Sequence, residues 1–225
     1  MSWGDHAYMR NALIILVAAF TIATPAYADD TPSGIIVRQA PPRSTFRSMA
    51  YARLGYGAAF ADEPRVAPAF GFGFRGEIDK FALDVSLFNF LVRADPYVGS
   101  GSTFAGSALR LQVLRFVEPQ ASRSMYIGGG MSWGVADIDR RARTDSTISG
   151  WNGSGLQAEF TTGYAFRGET PLQAFVQADL GLPFFRAVGI ERTLSSAYSP
   201  TGGERRYIPS VVVSFGLGWD ARRRP

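Results

Sequence analysis

The clearest structural signal in the chain is the segment Tyr207-Ile-Pro-Ser-Val-Val-Val-Ser-Phe-Gly-Leu-Gly-Trp219. Every second residue from Tyr207 to Trp219 is apolar or aromatic, and the residues between them are mostly serine and glycine. A period of two indicates a β-strand, because successive side chains of a strand point to opposite faces. A bulky apolar face opposite a face of small residues, with aromatic residues at both ends, predicts a strand in a wall between lipid and a lumen.

The same period predicts seven further strands. Six cover about residues 45–60, 69–77, 103–117, 124–135, 155–166 and 172–182, and one begins at residue 81. The links between them alternate in length. Short links contain Asp79, Glu118 and Gly168, and longer ones contain Asp62, Asp95, Arg141 and Ser196. Short turns on one side, longer loops on the other and an even number of strands are typical of a bacterial outer-membrane barrel. The sequence therefore predicts an all-β fold, an eight-stranded antiparallel up-and-down transmembrane β-barrel.

The N-terminal segment indicates export. Arg10 precedes an apolar run over residues 12–23, and a small-residue cleavage site ends at Ala28, a combination characteristic of a secretory signal peptide. Because Asp5 and His6 are unusual in such a segment, Met9 is an alternative start. We expect a cleaved signal peptide at 1–28, a short periplasmic leader at 29–44, the barrel at 45–219 and a basic tail at 220–225.

Composition excludes several function classes. The chain has no cysteine, so it can form neither a disulfide nor a thiolate metal site. Its formal net charge of +4 comes almost entirely from arginines scattered along the sequence, which does not favour nucleic acid. No apolar run after the signal peptide approaches the roughly 20 residues that a membrane helix needs. We expect no cofactor, no bound metal and no nucleic-acid partner.

On the alternating pattern of residues 45–219 and the terminal Val211-Val-Val-Ser-Phe-Gly-Leu-Gly-Trp219, the chain resembles a family of small outer-membrane barrels. These are the eight-stranded barrels of the outer-membrane protein A, outer-membrane protein X and opacity-protein superfamily. The resemblance implies a monomer in the bacterial outer membrane, in contact with its lipids and lipopolysaccharide. The last strand resembles the signal that the barrel-assembly machinery reads. The chain departs from the family because Asp220-Ala-Arg-Arg-Arg-Pro225 follow the terminal aromatic residue.

Two motifs raise the question of an enzyme. Residues 130–134 match G-x-S-x-G around Ser132, and residues 71–76 match G-x-G-x-x-G. Both motifs need a following helix, whereas both segments read as strands. The only histidine, His6, leaves with the signal peptide, and the only lysine, Lys80, lies in a turn. A serine nucleophile needs a neighbouring base, and the enzymes known among outer-membrane barrels use histidine. We therefore predict no catalytic residue.

Charged residues of both signs occupy the predicted inward faces. An eight-stranded barrel is just wide enough for side chains to fill its interior, and unpaired buried charges are costly. The pattern predicts an ion-pair network that plugs the lumen, and a gated ion or proton path is the alternative. The predicted members are Arg47, Arg53, Arg75, Glu77, Asp84, Arg110, Glu159 and Asp179.

Two outer loops are candidates for surface binding, because arginine pairs well with phosphate. The loop over 137–153 is the main candidate for a surface ligand, through Arg140, Arg141, Arg143 and Trp151. The loop over 183–206 adds Arg186, Arg192, Arg205 and Arg206. These features predict a non-enzymatic barrel with a structural or surface-interaction role. The alternatives are a pore or transporter for small solutes or ions, and a soluble periplasmic lipocalin-like binding protein, which would turn its apolar faces inward.

Overall fold

The computed structural model describes residues 46–62, 64–93, 103–139, 147–167, 170–193 and 199–220. The predicted signal peptide, the leader and residues 221–225 of the basic tail lie outside these ranges. No helix within the described ranges is long and apolar enough to cross a membrane. The strands are β1 (Phe46–Phe60), β2 (Pro64–Ile78), β3 (Phe81–Arg93), β4 (Thr103–Phe116), β5 (Arg123–Asp139), β6 (Thr147–Phe166), β7 (Leu172–Pro183), β8 (Ala187–Thr193), β9 (Ser199–Arg206) and β10 (Ser210–Asp220).

Eight of these strands close into an antiparallel barrel. Strands β1 to β5 pair in chain order, β10 lies between β1 and β7, and β7 pairs with β6. Pairing of β5 with β6 closes the cylinder. Closure satisfies the backbone polar groups of the wall internally, which lipid demands because it offers no hydrogen-bond partner. The predicted eight-stranded antiparallel barrel is confirmed.

The two ends of the barrel differ. At the end where β1 begins and β10 finishes, here called the terminal end, Met49 pairs with Asp220 and the links are residues 79–80, 117–122 and 167–171. The opposite end is called the loop end. A long link near Asp62 was expected there, but that prediction is wrong. Only residues 61–63 join β1 to β2, because the two strands stay paired as far as Phe60 and Pro64.

The tightest turn of the terminal end joins β2 to β3 through Asp79 and Lys80. Asp79 has a φ of 52°, in the left-handed region that aspartate tolerates better than most residues. The turn therefore fixes the pairing of Ile78 with Phe81, and the predicted tight turn is present.

The barrel strands have an apolar outer face and a polar or small inner face. On β1, Leu54 and Tyr56 are exposed, whereas Tyr51 and Arg53 are buried. An apolar surface that encircles the molecule is far larger than the patches that soluble monomers expose. A lipocalin-like barrel would have the opposite arrangement, so the faces of the strands contradict that alternative. This outer apolar surface is here called the apolar belt, and it includes Phe72, Phe74, Leu83, Leu111, Met131, Trp133, Phe160, Val176, Phe215 and Leu217.

The topology differs from the prediction between β7 and β10. One outer loop was expected over 183–206, but these residues contain the hairpin β8–β9. Strand β8 pairs with the loop-end part of β6, where Trp151 lies opposite Gly189. Strand β6 has 20 residues and β7 has 12, and β7 pairs with β6 only as far as Gln157. The remainder of β6 is thus free to take β8 as a partner.

The last barrel strand begins at Ser210, and the expected start at Tyr207 is wrong by three residues. Pro209 has no N–H to donate to a sheet ladder. Its carbonyl instead accepts a hydrogen bond of 2.8 Å from the Phe60 N–H. From Ser210 onward the alternation follows the prediction, with Val213, Phe215, Leu217 and Trp219 exposed.

Two apolar clusters lie inside the barrel, one toward each end. The terminal-end cluster consists of Met49, Tyr51, Ala82, Leu114, Phe116, Tyr126, Ala165 and Phe175. The loop-end cluster consists of Ala59, Ala67, Ala69, Leu91, Ala105, Ala136, Ile138, Trp151, Ala187 and Ile208. The interior is layered, because five charged side chains lie between the two clusters: Arg53, Arg75, Asp84, Arg110 and Asp179.

Glycines on the inner faces make room for the large rings of the terminal-end cluster. A Cβ atom at Gly163 would collide with the ring of Tyr126, and one at Gly216 would collide with the ring of Phe175. The small inward residues of the alternating pattern therefore have a packing role, because they allow aromatic rings to fill a narrow cylinder.

Candidate functional site

A network of charged and polar side chains fills the middle of the barrel interior. The residues occupy inward positions of β1, β2, β3, β4 and β7, so the alternation of each strand aims them at the axis. Five of the eight residues predicted for the lumen network meet here, and none is more than 5% exposed. They are Arg53, Arg75, Asp84, Arg110 and Asp179.

Asp179 on β7 has the most partners in this network. One carboxylate oxygen pairs with the guanidinium of Arg53, and the other lies 2.8 Å from Nη1 of Arg110. The second oxygen also accepts hydrogen bonds from Thr161 Oγ1 at 2.6 Å and from Gln177 Nε2 at 2.8 Å. A buried carboxylate needs such a full set of donors to offset its lost hydration.

Asp84 on β3 is the second acidic centre. It accepts hydrogen bonds from Nε of Arg75 at 2.9 Å and from the hydroxyl of Tyr51 at 2.7 Å. Nη2 of Arg110 lies 3.8 Å from the same carboxylate, so Arg110 links the two acidic centres. Nη2 of Arg75 donates to Gln177 at 3.2 Å, which joins the network again on the β7 side.

Arg75 also joins the charged layer to the terminal-end cluster. Its guanidinium carbon lies 5.5 Å from the ring centroid of Tyr51, and 4.9 Å from those of Tyr126 and Phe175. Among the described residues, its Nη1 has no hydrogen-bond partner, and the aromatic faces offset part of that cost through cation–π attraction. The side chain is thus enclosed by rings on one side and by acceptors on the other.

Glu159 on β6 is placed differently from the two aspartates. It accepts hydrogen bonds from Ser132 Oγ at 2.7 Å and from Gln157 Nε2 at 3.0 Å. Within the described part of the chain, no arginine lies within ion-pair distance of it. Ser132 of the G-x-S-x-G match lies in the middle of β5, a strand that continues to Asp139, and it donates to a buried carboxylate.

The last two predicted lumen residues, Glu77 and Arg47, lie toward the terminal end. Glu77 pairs with Arg167 at 2.8 Å, and Arg47 lies opposite Glu77 in the β1–β2 register but is only half-buried. Arg167 also donates to the carbonyl of Pro119 at 2.8 Å and lies 4.2 Å from the ring centroid of Phe116. Burial lowers the pKa of the Arg167 guanidinium, and the Glu77 carboxylate opposes that shift.

Several members of the network were not among the predicted site residues. Arg167 follows β6 and continues its inward alternation by one residue, so extending the strand pattern would have found it. Thr161 and Gln177 were on predicted inward faces but carry no charge. Tyr51 and Tyr126 reach the network through their hydroxyl groups, and the Tyr126 hydroxyl donates to Gln177 at 2.8 Å.

A second group of polar contacts lies at the loop end and is here called the loop-end clamp, formed by Asp62, Trp151 and Arg206. The indole N–H of Trp151 donates to Asp62 at 3.1 Å, and Arg206 pairs with the same carboxylate at 2.6 Å. The Arg206 guanidinium lies 5.3 Å from the Trp151 ring centroid. The clamp connects β6, the β1–β2 link and the end of β9.

The prediction that placed Trp151 in an outer loop is wrong. Trp151 lies within β6 and is 5% exposed, because β5 and β6 stay paired out to Asp139 and Gly150. Its ring belongs to the loop-end cluster instead of a binding surface. Arg140, Arg141 and Arg143 of the same predicted ligand loop lie outside the described residues.

The ion pairs of the network join side chains of β1, β4 and β7 across the interior. A cavity beside Arg53 and Ser214 has a volume of about 10 Å³, roughly the space that one water molecule needs. Among the residues described, no group of three or more histidine, cysteine or acidic side chains could hold a metal ion. Residues 71–76 of the G-x-G-x-x-G match lie within β2, where the phenylalanines face outward.

A closed eight-stranded barrel with an apolar exterior and a filled polar interior defines the class of small transmembrane β-barrels. The assignment rests on the strand pairing and the burial pattern described above. No protein-family model matches the chain, and no curated protein matches it.

Three solved structures are similar to the chain in their backbone. The crystal structure of Neisserial surface protein A has a TM-score of 0.47 at 12% identity, covering 77% of this chain and 96% of that one. The N-terminal β-barrel domain of Pseudomonas aeruginosa OprF has a TM-score of 0.41 at 12% identity, covering 76% and 97%. Outer membrane protein AlkL, solved by solid-state NMR in DMPC bilayers, has a TM-score of 0.44 at 11% identity, covering 86% and 96%.

Proposed function

We propose that the protein is a non-enzymatic barrel of the bacterial outer membrane, with a plugged lumen and a structural or surface-interaction role through its loop end. The layered interior carries this proposal. Apolar side chains fill both ends of the cylinder, and the ion pairs of Asp84 and Asp179 fill the middle. A rigid, filled barrel is suited to holding surface segments in place, whereas transport needs a passage.

The location is supported by the apolar belt and by the two unlike ends of the barrel. Outer-membrane barrels have short periplasmic turns and longer external loops, which supports a terminal end in the periplasm and a loop end outside the cell. The mature chain would be a monomer delivered by the barrel-assembly machinery. Cell fractionation tests this location. We expect the protein in the outer-membrane fraction, with a gel mobility that changes on boiling.

Solubility without detergent would overturn the proposed location, because the exposed belt would then have to be covered by some other means. A second test of the location is a Phe72→Asp, Phe74→Asp variant. It introduces charges on the outer face of β2, where both rings are exposed. Charges on the lipid face of a barrel are strongly destabilising, so this variant should fail to assemble if the face contacts lipid.

Conductance in planar bilayers separates the plugged barrel from the pore alternative. We expect no stable open channel, because a conducting path would have to cross both apolar clusters and the Arg110–Asp179 pair. A sustained large conductance from the purified protein would overturn the plugged lumen.

The surface role is proposed for the segment that joins β5 to β6 in the sequence, in which Arg140, Arg141 and Arg143 would provide cations for anionic groups such as those of lipopolysaccharide. Replacing the three arginines by serine should reduce the amount of lipopolysaccharide retained on the purified protein. Unchanged retention would count against this loop as the binding element, and would leave the barrel itself unaffected.

A further inference from the structure

Four exposed side chains lie at the base of the hairpin β8–β9, at the loop end. They are Phe184, Arg186, Arg205 and Tyr207, here called the rim cluster. They lie on both sides of the hairpin β8–β9, where the chain leaves β7 and where it approaches β10. The rim cluster has no part in the interior network or in the loop-end clamp.

The neighbouring residues show that the rim cluster faces outward. Phe185 packs against the loop-end cluster inside the barrel, and Ala187 belongs to it. Phe184 and Arg186, on either side of Phe185, are both exposed, so they turn away from that cluster. Ile208 also belongs to the interior cluster, so its neighbour Tyr207 lies on the outer surface as well.

The backbone of Phe184 places the rim cluster at the upper edge of the apolar belt. Its N–H donates a hydrogen bond of 2.9 Å to the carbonyl of Leu156. Leu156 is paired with Trp133, and both side chains are about half exposed on the belt. Tryptophan and tyrosine are concentrated at this level in outer-membrane barrels, where the acyl chains meet the headgroups.

The charges of the rim cluster are available to a ligand. The Arg186 guanidinium carbon lies 5.1 Å from the ring centroid of Tyr207, a contact that orients the side chain while leaving its N–H groups free to donate. Among the described residues, Arg186 forms no ion pair with a carboxylate. Arg205 lies opposite Val188, which is two residues from Arg186 and on the same face, so the two cations are diagonal neighbours.

We propose that the rim cluster binds a phosphate group of lipopolysaccharide in the outer leaflet. Arg186 and Arg205 would donate to the phosphate oxygens, since guanidinium groups match phosphate geometry well. Phe184, 62% exposed, would lie against the acyl chains below. The two guanidinium groups would then lie beside the anionic headgroup of the lipid, and the Phe184 ring beside its apolar acyl chains. The inference rests on the proposed outer-membrane location, because that location places the loop end in the outer leaflet.

Native mass spectrometry of the detergent-purified mature chain tests the site, with lipid A carrying both of its phosphates as the probe. The variant Arg186→Ser, Arg205→Ser should weaken lipid A binding by about tenfold, since each arginine near an anionic lipid surface contributes an appreciable attraction. Lipid A without phosphates should bind the unmodified protein as weakly as the variant binds the phosphorylated form.

The matched control is Arg115→Ser, Arg123→Ser, which removes two exposed arginines at the terminal end. It should leave lipid A binding unchanged. Equal losses of lipid A binding in both variants would show that overall charge, not the rim cluster, attracts the lipid, and would overturn the site. Undiminished binding by the rim variant would overturn it as well. Equally tight binding of phosphatidylglycerol would overturn the assignment to lipopolysaccharide.

Two measurements separate a failure of this inference from a failure of the proposed function. Each variant is first shown to fractionate with the outer membrane and to change gel mobility on boiling. A folded, membrane-embedded rim variant with undiminished lipid A binding refutes the rim site alone. A chain that does not fractionate with the outer membrane refutes the location on which the site depends.

Discussion

Two sets of arginine–aspartate pairs lie at different depths of the same barrel. In the middle, Arg110 and Asp179 are 1% and 5% exposed, whereas at the loop end the side chains of Arg206 and Asp62 are 46% and 18% exposed. Their N–O distances are similar, at 2.8 and 2.6 Å. Distance therefore does not distinguish the two pairs, and their surroundings do.

The surroundings of each pair determine how much stability is lost when one partner is removed. In the interior, removing one partner leaves the other charge with neither water nor a counter-charge. At the loop end, water and salt replace much of the lost interaction. We therefore expect assembly to depend more on the interior network than on the loop-end clamp.

The largest effect is expected for Asp179→Ala. The substitution removes the carboxylate that contacts both Arg53 and Arg110, and breaking a buried pair costs about 3–5 kcal/mol. Urea unfolding of the protein in detergent micelles, followed by tryptophan fluorescence, measures the loss. Asp62→Ala is the control, and equal losses for the two variants would remove the distinction between the two depths.

A somewhat smaller effect is expected for Gly216→Val. Its side chain would collide with the ring of Phe175, and overpacking of this kind costs about 1–3 kcal/mol. Gly76→Val is the matched control, since the nearest side-chain atoms to a Cβ there lie at 3.7 Å. If both variants unfold at the same urea concentration, the fit between glycines and rings does not determine how the interior packs.

Glu159→Gln should cost about 1 kcal/mol, the usual contribution of a hydrogen bond. Glu159 accepts from Ser132 and Gln157, and an amide oxygen can accept from the same donors. Asp179→Asn makes the same chemical change next to two guanidinium groups and should cost more. The urea midpoints of the two variants show which one loses more stability. A larger loss for Glu159→Gln would show that pairing with arginine does not determine how much a buried carboxylate stabilises the barrel.

The smallest effect on global stability is expected for Arg206→Ala, at about 0.5 kcal/mol or less, because the pair is half-exposed and screened. Its local effect should be larger, since Arg206 connects the end of β9 to Asp62 and Trp151. Limited proteolysis should cut the hairpin β8–β9 faster in this variant, and high salt should have the same effect on the unmodified protein. Unchanged cleavage would show that the clamp does not hold the hairpin.

The wall of the barrel could be predicted because each strand repeats one local rule. Phe72 faces lipid and Arg75 faces the axis for the same reason, the period of two. The pairing partners could not be predicted. Arg53 and Asp179 are 126 residues apart in the chain, and only the register between strands, set by the closure of the barrel, brings them together.

The loop end was harder to predict for a physical reason. The hairpin strands β8 and β9 contain Gly189, Pro200 and two consecutive arginines, without a regular apolar alternation. Neither face of such a hairpin needs to meet lipid, so the pattern that identifies the wall is missing. Trp151 was misplaced for the same reason, because β6 continues beyond the belt with small and polar residues.

The unequal lengths of the strands give the molecule a direction. Strand β6 has 20 residues, which at about 3.4 Å per residue and a tilt of about 40° rise by roughly 50 Å. The apolar band of such barrels is about 25 Å tall, so one flank, carrying the hairpin β8–β9, stands well above the lipid. In the proposed orientation, an antibody, a phage or a neighbouring cell would meet this raised flank before it met the apolar belt.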